Sequence, residues 1–216
     1  MLHLLSKYRY YYITGIKTTL LLSLFSLILG SALGVILSLM RLSKNKFFNF
    51  ISTVYVEIFR GTPLFVQLSM VYIGISMVLG LNISAFVGGL IAVSLNSAAY
   101  ISEIIRAGIQ SVDKGQREAG LSLGLDDSQI MKKIILPQAV KNILPALGNE
   151  FITLIKETSI VATIGVFDLY YAAQKVNSIT YWYSAFVITA MMYFVITFTL
   201  SKVMNHFERK IRHDNH

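Results

Sequence analysis

Residues 18–40, 61–102 and 176–201 contain no Asp, Glu, Lys or Arg. Nothing else in the chain constrains its fold so strongly. A helix needs about 20 apolar residues to cross the bilayer core, so these runs predict an all-α membrane protein. The middle run is long enough for two spans with a turn between them. The whole chain supports the same reading: 14% of residues are charged and the mean hydropathy is +0.62, against about 25% charged in soluble domains. The first run is too long for the apolar core of a secretory signal, and no small-residue cleavage site follows it.

Five spans are predicted, at Ile16–Met40, Pro63–Leu79, Ala85–Ile109, Ala146–Tyr170 and Tyr183–Asn205. Gly80-Leu81-Asn82 breaks the middle run. Basic residues fix the orientation, because Lys and Arg concentrate on the cytoplasmic side. One side receives Arg41, Lys44, Lys46, Arg106, Lys114, Arg117, Lys132, Lys133, Lys141, Lys202, Arg209, Lys210 and Arg212; the other receives only Lys7, Arg9, Lys17 and Lys175. The heavier side is read as cytoplasmic, so the N-terminus is expected outside and the C-terminus inside. The net charge of +8 is assigned to this bias rather than to nucleic-acid binding. Tyr8, Tyr10, Tyr11 and Tyr12, with Tyr181, Trp182 and Tyr183, are read as interface anchors on the outer side.

Composition closes off several chemistries. The chain has no cysteine, hence no disulfide or thiolate site. His3, His206, His213 and His216 all lie near the ends, which argues against a histidine-based metal or catalytic site inside the membrane. Gly15-Ile16-Lys17-Thr18 lacks the glycine pattern of a phosphate-binding loop, so ATP hydrolysis is not expected here. Neither G-x-S-x-G nor H-E-x-x-H occurs.

The fourth span is the least apolar, with Asn149, Glu150, Lys156, Glu157 and Asp168. A charge at mid-bilayer costs at least about 2.5–3.5 kcal/mol, so this helix is expected to face protein or a watery cavity, which marks it as the wall of a transport path. Glu157 is the sharpest candidate for cargo contact, with Thr153 and Glu150 on its helical face. It would bind an α-ammonium or a cationic side chain; the alternative is a buried pair with a basic residue. Gln67 and Asn96 either touch cargo or bridge helices, and Asp168 is a weaker candidate for an outer gate. Glu57 with Arg60, and Glu103 with Arg106, sit three apart on helices and are read as structural ion pairs. Thr62-Pro63 reads as a helix N-cap followed by proline at the first position. Gly30 and Gly34 form a packing GxxxG.

Residues 118–137 form the most polar internal segment, within a loop spanning 114–137. Two short helices are expected there, Glu118–Leu123 and Asp126–Ile135. Gly124 would sit between them in a left-handed conformation, with Asp126 and Gln129 as a capping box. Pro137 would end the second helix. Leu121, Leu125 and Ile130 are expected to enter a partner's groove, and Glu118 to pair with a basic residue there. The bland alternative is an amphipathic hairpin resting on lipid headgroups.

Glu118-Ala119, Gly124, and then Ile134-Ile135-Leu136-Pro137 resemble the cytoplasmic signature loop of ABC importer permeases. Residues 57–67 (EIFRGTPLFVQ), 96–109 (NSAAYISEIIRAGI), 144–151 (LPALGNEF) and 156–159 (KETS) extend the resemblance over residues 12–209, to type I importer permeases for polar amino acids of the histidine/glutamine/arginine class. Gly120 departs from the motif, which more often has Ala. The resemblance implies one transmembrane domain and alternating access, with Glu118, Ala119, Leu121, Gly124, Leu125, Ile130 and Pro137 coupling to a separate ATPase. It implies two cytoplasmic ATPases carrying ATP and Mg, a second permease subunit, an external binding protein, an amino-acid cargo and a bacterial plasma membrane. The competing reading is an ion-gradient-driven secondary transporter using Glu150 and Glu157. Such proteins usually have two related halves and more spans, and no internal repeat is visible here.

Overall fold

The chain is described by a computed structural model over residues 2–213, the side chains of residues 2, 3, 79 and 211–213 excepted. His3, His213 and His216, expected near the ends, therefore lie outside the described side chains. The described residues form helices and no strands. They are α1 (Leu2–Lys7), α2 (Arg9–Leu42), α3 (Lys46–Gly61), α4 (Leu64–Leu79), α5 (Ala85–Gln110), α6 (Lys114–Ser122), α7 (Asp127–Ile130), α8 (Leu136–Glu157), α9 (Leu169–Thr180) and α10 (Ser184–His213). A π-helical turn, Met131–Ile135, joins α7 to α8, and a 3-10 segment, Thr158–Ile164, follows α8.

The centre of the bundle is the contact between α2 and α5. Lipid is as apolar as leucine, so helices in a bilayer associate through close packing of small residues. The buried face of α2 is built that way, with Gly15, Thr19, Ser23, Ser26, Gly30, Gly34 and Ser38 among its members. A Cβ on Gly34 would lie 2.9 Å from Ile101 Cγ2, and one on Gly30 would lie 3.1 Å from Ser97 Cβ. The GxxxG therefore serves packing. Gly34→Leu should force α2 off α5 and lower the detergent-solubilised melting temperature by several degrees, in line with the roughly 1–3 kcal/mol of core overpacking; an unchanged melt would contradict this packing.

By length and hydropathy α2, α5 and the Ser184–Lys210 part of α10 suffice to cross a membrane, and α3 with α4 passes only as a pair bent by 110°. The bend departs from expectation in its chemistry. Thr62 does not N-cap α4: it ends α3, and its hydroxyl donates to the Ile58 carbonyl at 2.8 Å. Pro63 takes the N-cap position of α4 without a side-chain bond.

The crossing expected as one helix over 146–170 is not continuous. Helix α8 begins at Leu136, ends at Glu157, and gives way to the 3-10 segment. The cause is local. The Thr158 and Ser159 hydroxyls donate to the carbonyls three residues back, Ile155 at 3.0 Å and Lys156 at 2.7 Å, and such bonds compete with the α-helical ladder. Gly165 at φ +90 ends the segment. Asp168, fully buried, then caps α9 by accepting from the Tyr171 N–H at 2.7 Å.

Pro137 likewise does not stop its helix. Leu136 stays in the α region and Pro137 falls in the first turn of α8. The preceding π-turn shifts the hydrogen-bond register, so the proline sits where a missing N–H costs least.

Candidate functional site

Helix α6 projects from the bundle between α5 and α8. Asp113 caps it by accepting from the Gly115 N–H at 2.6 Å. At its other end Gly124 adopts φ +78. The Leu125 N–H donates to the Gly120 carbonyl at 3.1 Å and the Gly124 N–H to the Leu121 carbonyl at 2.9 Å, the double bond pattern of a Schellman stop. The capping box is present as expected: the Gln129 N–H donates to Asp126 Oδ1 at 2.9 Å, and Gln129 Oε1 accepts from the Asp126 N–H at 3.1 Å. Arg117 donates to Asp127 Oδ1 at 2.8 Å, tying α6 to α7. That guanidinium holds the Asp127 carboxyl below its ordinary value, with Lys44 adding a smaller pull.

The loop presents one face outward. Glu118 and Ala119 are exposed, as are Leu121 at 51% and Leu123 at 79%. Leu125 is half-buried. Ile130 corrects the expectation: it is 1% exposed and packs on Gly120, where an added Cβ would lie 2.8 Å from Ile130 Cγ1. Ile130 thus braces the loop from within and offers no group to a partner. The same contact explains why glycine stands at position 120. Leu123, passed over in the sequence, is the most exposed apolar group of the loop; its place beside Gly124, just past the end of α6, was the available signal.

The second feature lies where α8 breaks. A groove of about 390 Å³ is lined by Leu64, Glu157, Ser159, Ile160, Thr163 and Tyr170. Glu157 and Thr153 are half-buried. Among the described residues Glu157 forms no ion pair. Glu150 is held differently, accepting from the Ser97 hydroxyl at 3.0 Å. Asp168 accepts from the Tyr193 hydroxyl at 3.2 Å besides capping α9, which ties it to structure rather than to a gate.

Gln67 and Asn96 are occupied as staples. Gln67 Nε2 donates to Phe59 O at 2.8 Å, Thr62 O at 3.0 Å and Thr62 Oγ1 at 2.8 Å. Its carbonyl accepts from Asn96 Nδ2 at 2.9 Å. Together they close the bend between α3 and α4 onto α5, and neither lines the Glu157 groove.

The ion pairs are regrouped. Glu103 pairs with Arg106 as expected, and Arg106 Nε donates to Glu103 Oε2 at 3.1 Å. Arg41 joins them at 2.7 Å and Arg60 at 3.9 Å. Arg60 lies over the Tyr100 ring, 5.5 Å from its centroid, and does not pair with Glu57. A single carboxylate therefore gathers α2, α3 and α5. Among the described residues no group of three or more His, Cys, Asp or Glu is placed to hold a metal ion.

Comparisons with known proteins agree with this arrangement. The family model described as "Binding-protein-dependent transport system inner membrane component" matches residues 11–213. The arginine transport system permease protein ArtQ of Bacillus subtilis is 44% identical over 92% of this chain and 91% of its own length. A putative glutamine transport system permease protein GlnP of Rickettsia felis is 42% identical over 92% of each. A crystal structure titled as an amino acid ABC transporter with histidines superposes with a TM-score of 0.93, at 46% identity, covering 95% of this chain and 96% of that one. An inward-facing MetNI methionine ABC transporter shares the fold alone, with a TM-score of 0.79 at 17% identity. The chain belongs to the family of binding-protein-dependent transport system inner membrane components, and its fold is that of a type I ABC importer permease.

Proposed function

We propose that this chain is the pore-forming subunit of an ATP-driven amino-acid importer that works by alternating access. The observation that carries this reading is the braced α6 loop. A charged, internally locked element with outward Leu121 and Leu123 is of little use to a lone membrane protein, and it fits a groove on a soluble motor. The motor is a pair of cytoplasmic ABC ATPases, which carry the ATP and Mg. ATP binding closes that pair, moves the loop and tilts the spans: a two-state element biased from one end. A second permease subunit completes the pore, and an extracytoplasmic binding protein delivers the cargo. The family match and the relatives' names favour this over the ion-gradient alternative.

The chain crosses a bacterial plasma membrane five times within residues 12–209, with α3–α4 as one bent crossing and α8 with its 3-10 extension as the fourth. The lysine and arginine distribution places the N-terminus outside and the 114–137 loop and C-terminus inside. Glu157 is the cargo contact, with Thr153 on the same face. Gln67 and Asn96 support the path from behind. Glu157→Gln should lower ATP-driven uptake of L-arginine or L-glutamine into proteoliposomes by roughly tenfold or more, the effect of losing one charge-assisted contact. Wild-type uptake by that variant would remove Glu157 from the path. No uptake of any amino acid by the intact, ATP-hydrolysing complex would overturn the importer assignment.

A further inference from the structure

At the N-terminal end of α2 a groove of about 330 Å³ runs between Leu5 on α1, Ile16 on α2 and the Ile188, Met192, Val195 and Ile196 face of α10. Every residue that lines it is apolar. Val195 is 59% exposed, so the groove opens on the lipid side of the bundle. Its α10 wall, from Ile188 to Ile196, is about 12 Å long. A helix about 10–12 Å across fills roughly 400–600 Å³ per turn. A groove of about 330 Å³ spread over two turns therefore seats something thinner. An extended hydrocarbon chain has that thickness and asks no hydrogen bonds of its wall. The same end carries charge of one sign. Helices α1, α2 and α9 contain no Asp or Glu, and α10 has none before Glu208. Asp168, at the start of α9, is fully buried and bonded within the bundle. Lys7, Arg9 and Lys17 are exposed, and among the described residues none of them forms an ion pair. Arg9 stands seven residues before Ile16, two turns away on the same face of α2. It opens that helix, whose first turn holds no acid, so its charge adds to the positive end of the helix dipole. Exposed Tyr10, Trp182 and Tyr183 lie at this end too, and such rings sit at headgroup depth.

We infer that this groove is a binding site for one anionic phospholipid, with an acyl chain lying along α10 and the phosphate held by Arg9. A guanidinium meets a phosphate with two parallel hydrogen bonds. Lys7 and Lys17 add positive potential on either side, which repels the ammonium of a zwitterionic headgroup and favours a headgroup that carries net negative charge. Phosphatidylglycerol has the required chemistry. The site depends only on α2 and α10 crossing a bilayer, and it stands apart from the cargo path and the ATPase contact.

The test uses the full chain purified in non-ionic detergent, freed of lipid and then offered phosphatidylglycerol or phosphatidylcholine with matched acyl chains. Native mass spectrometry counts the lipids retained, and a thermal melt without lipid checks that each variant is folded. The wild type should retain one phosphatidylglycerol per chain and prefer it to phosphatidylcholine by about tenfold or more, as expected where several cations face one anion near a membrane surface. Arg9→Gln should bring that preference to within about threefold, and Arg9→Lys should keep part of it. Lys202→Gln, towards the far end of α10, should leave it unchanged. Val195→Trp fills the groove from an exposed position and should lower retention of both lipids by about threefold or more. Glycerophosphoglycerol, the same headgroup without chains, should not displace the lipid. Equal retention of the two lipids by the wild type, an unaltered preference in Arg9→Gln, or displacement by glycerophosphoglycerol would overturn the site. So would a Val195→Trp chain that holds lipid like the wild type, or one that loses a second chain instead of a lipid, which would make the groove a contact between subunits.

Discussion

Glu103→Gln should lower the melting temperature of the detergent-solubilised protein by on the order of 6–12 °C, about 3 kcal/mol at the usual 2–4 °C per kcal/mol for a chain of this size. Among the described residues Glu103 is the one carboxylate paired with Arg41, Arg60 and Arg106, and its side chain is only 22% exposed. Removing it leaves three guanidinium groups facing one another with no counter-charge. Breaking a buried pair from one side is far costlier than never having built it. Screening moderates the effect at Arg60, which is 42% exposed, and least at Arg41 and Arg106. Arg41→Met together with Glu103→Met should recover part of the loss. A Glu103→Gln protein that melts like the wild type would show that the three helices are held by packing alone.

Gly124→Val should uncouple transport. At φ +78 a β-branched side chain is strongly disfavoured, and the left-handed conformation costs an L-residue roughly 1–2 kcal/mol. Nothing lies within 4 Å of a Cβ at this position, so the penalty is conformational and not a clash. The strain falls on the Schellman stop that aims Leu121 and Leu123. ATP-driven uptake in proteoliposomes should drop about tenfold or more while the membrane bundle stays folded, because the loop is braced separately through Ile130 and the Arg117–Asp127 pair. Gly124→Asn, whose side chain tolerates this conformation, should keep most activity. Unchanged uptake in the valine variant would mean that the shape of the loop is not what the ATPase reads.

Features encoded within a few residues of one another were legible in the sequence. The Asp126–Gln129 box, the Gly124 stop and the Glu103–Arg106 pair each span less than two turns, and each is in place. Features that depend on distant partners were not. Arg41 reaches Glu103 across a sequence separation of 62, and Asn96 reaches Gln67 across 29; no local pattern announces either bond. Arg60 was assigned to its near neighbour Glu57 because spacing is visible in a sequence and the approach of α5 is not. Ile130 looked like a partner-facing group because its hydrophobicity was visible and the space left by Gly120 was not.

Two boundaries went astray for a different reason. The proline rule at Leu136-Pro137 holds for an unbroken α-helix, and a π-turn before the proline lifts it. The run over 146–170 has the hydropathy of a weak single span, but Thr158 and Ser159 turn their hydroxyls back on the helix and end its α-helical part at Glu157. That break places Glu157 in the wall of the groove of about 390 Å³. Of the polar residues that made the fourth span hard to read, Glu157 lines the groove, while Glu150 and Asp168 are held in structural bonds.

Because the chain has no cysteine, Leu121→Cys gives a single-thiol probe on the outward face of α6. In sealed membrane vesicles containing the assembled complex, a membrane-impermeant maleimide should label it only from the cytoplasmic face. Adding the ATPase should protect it, and a short bifunctional crosslinker should join the two proteins. Labelling from the opposite face, or a thiol that stays fully reactive and uncrosslinked with a bound, ATP-hydrolysing partner, would contradict the claim that this loop is where the motor takes hold.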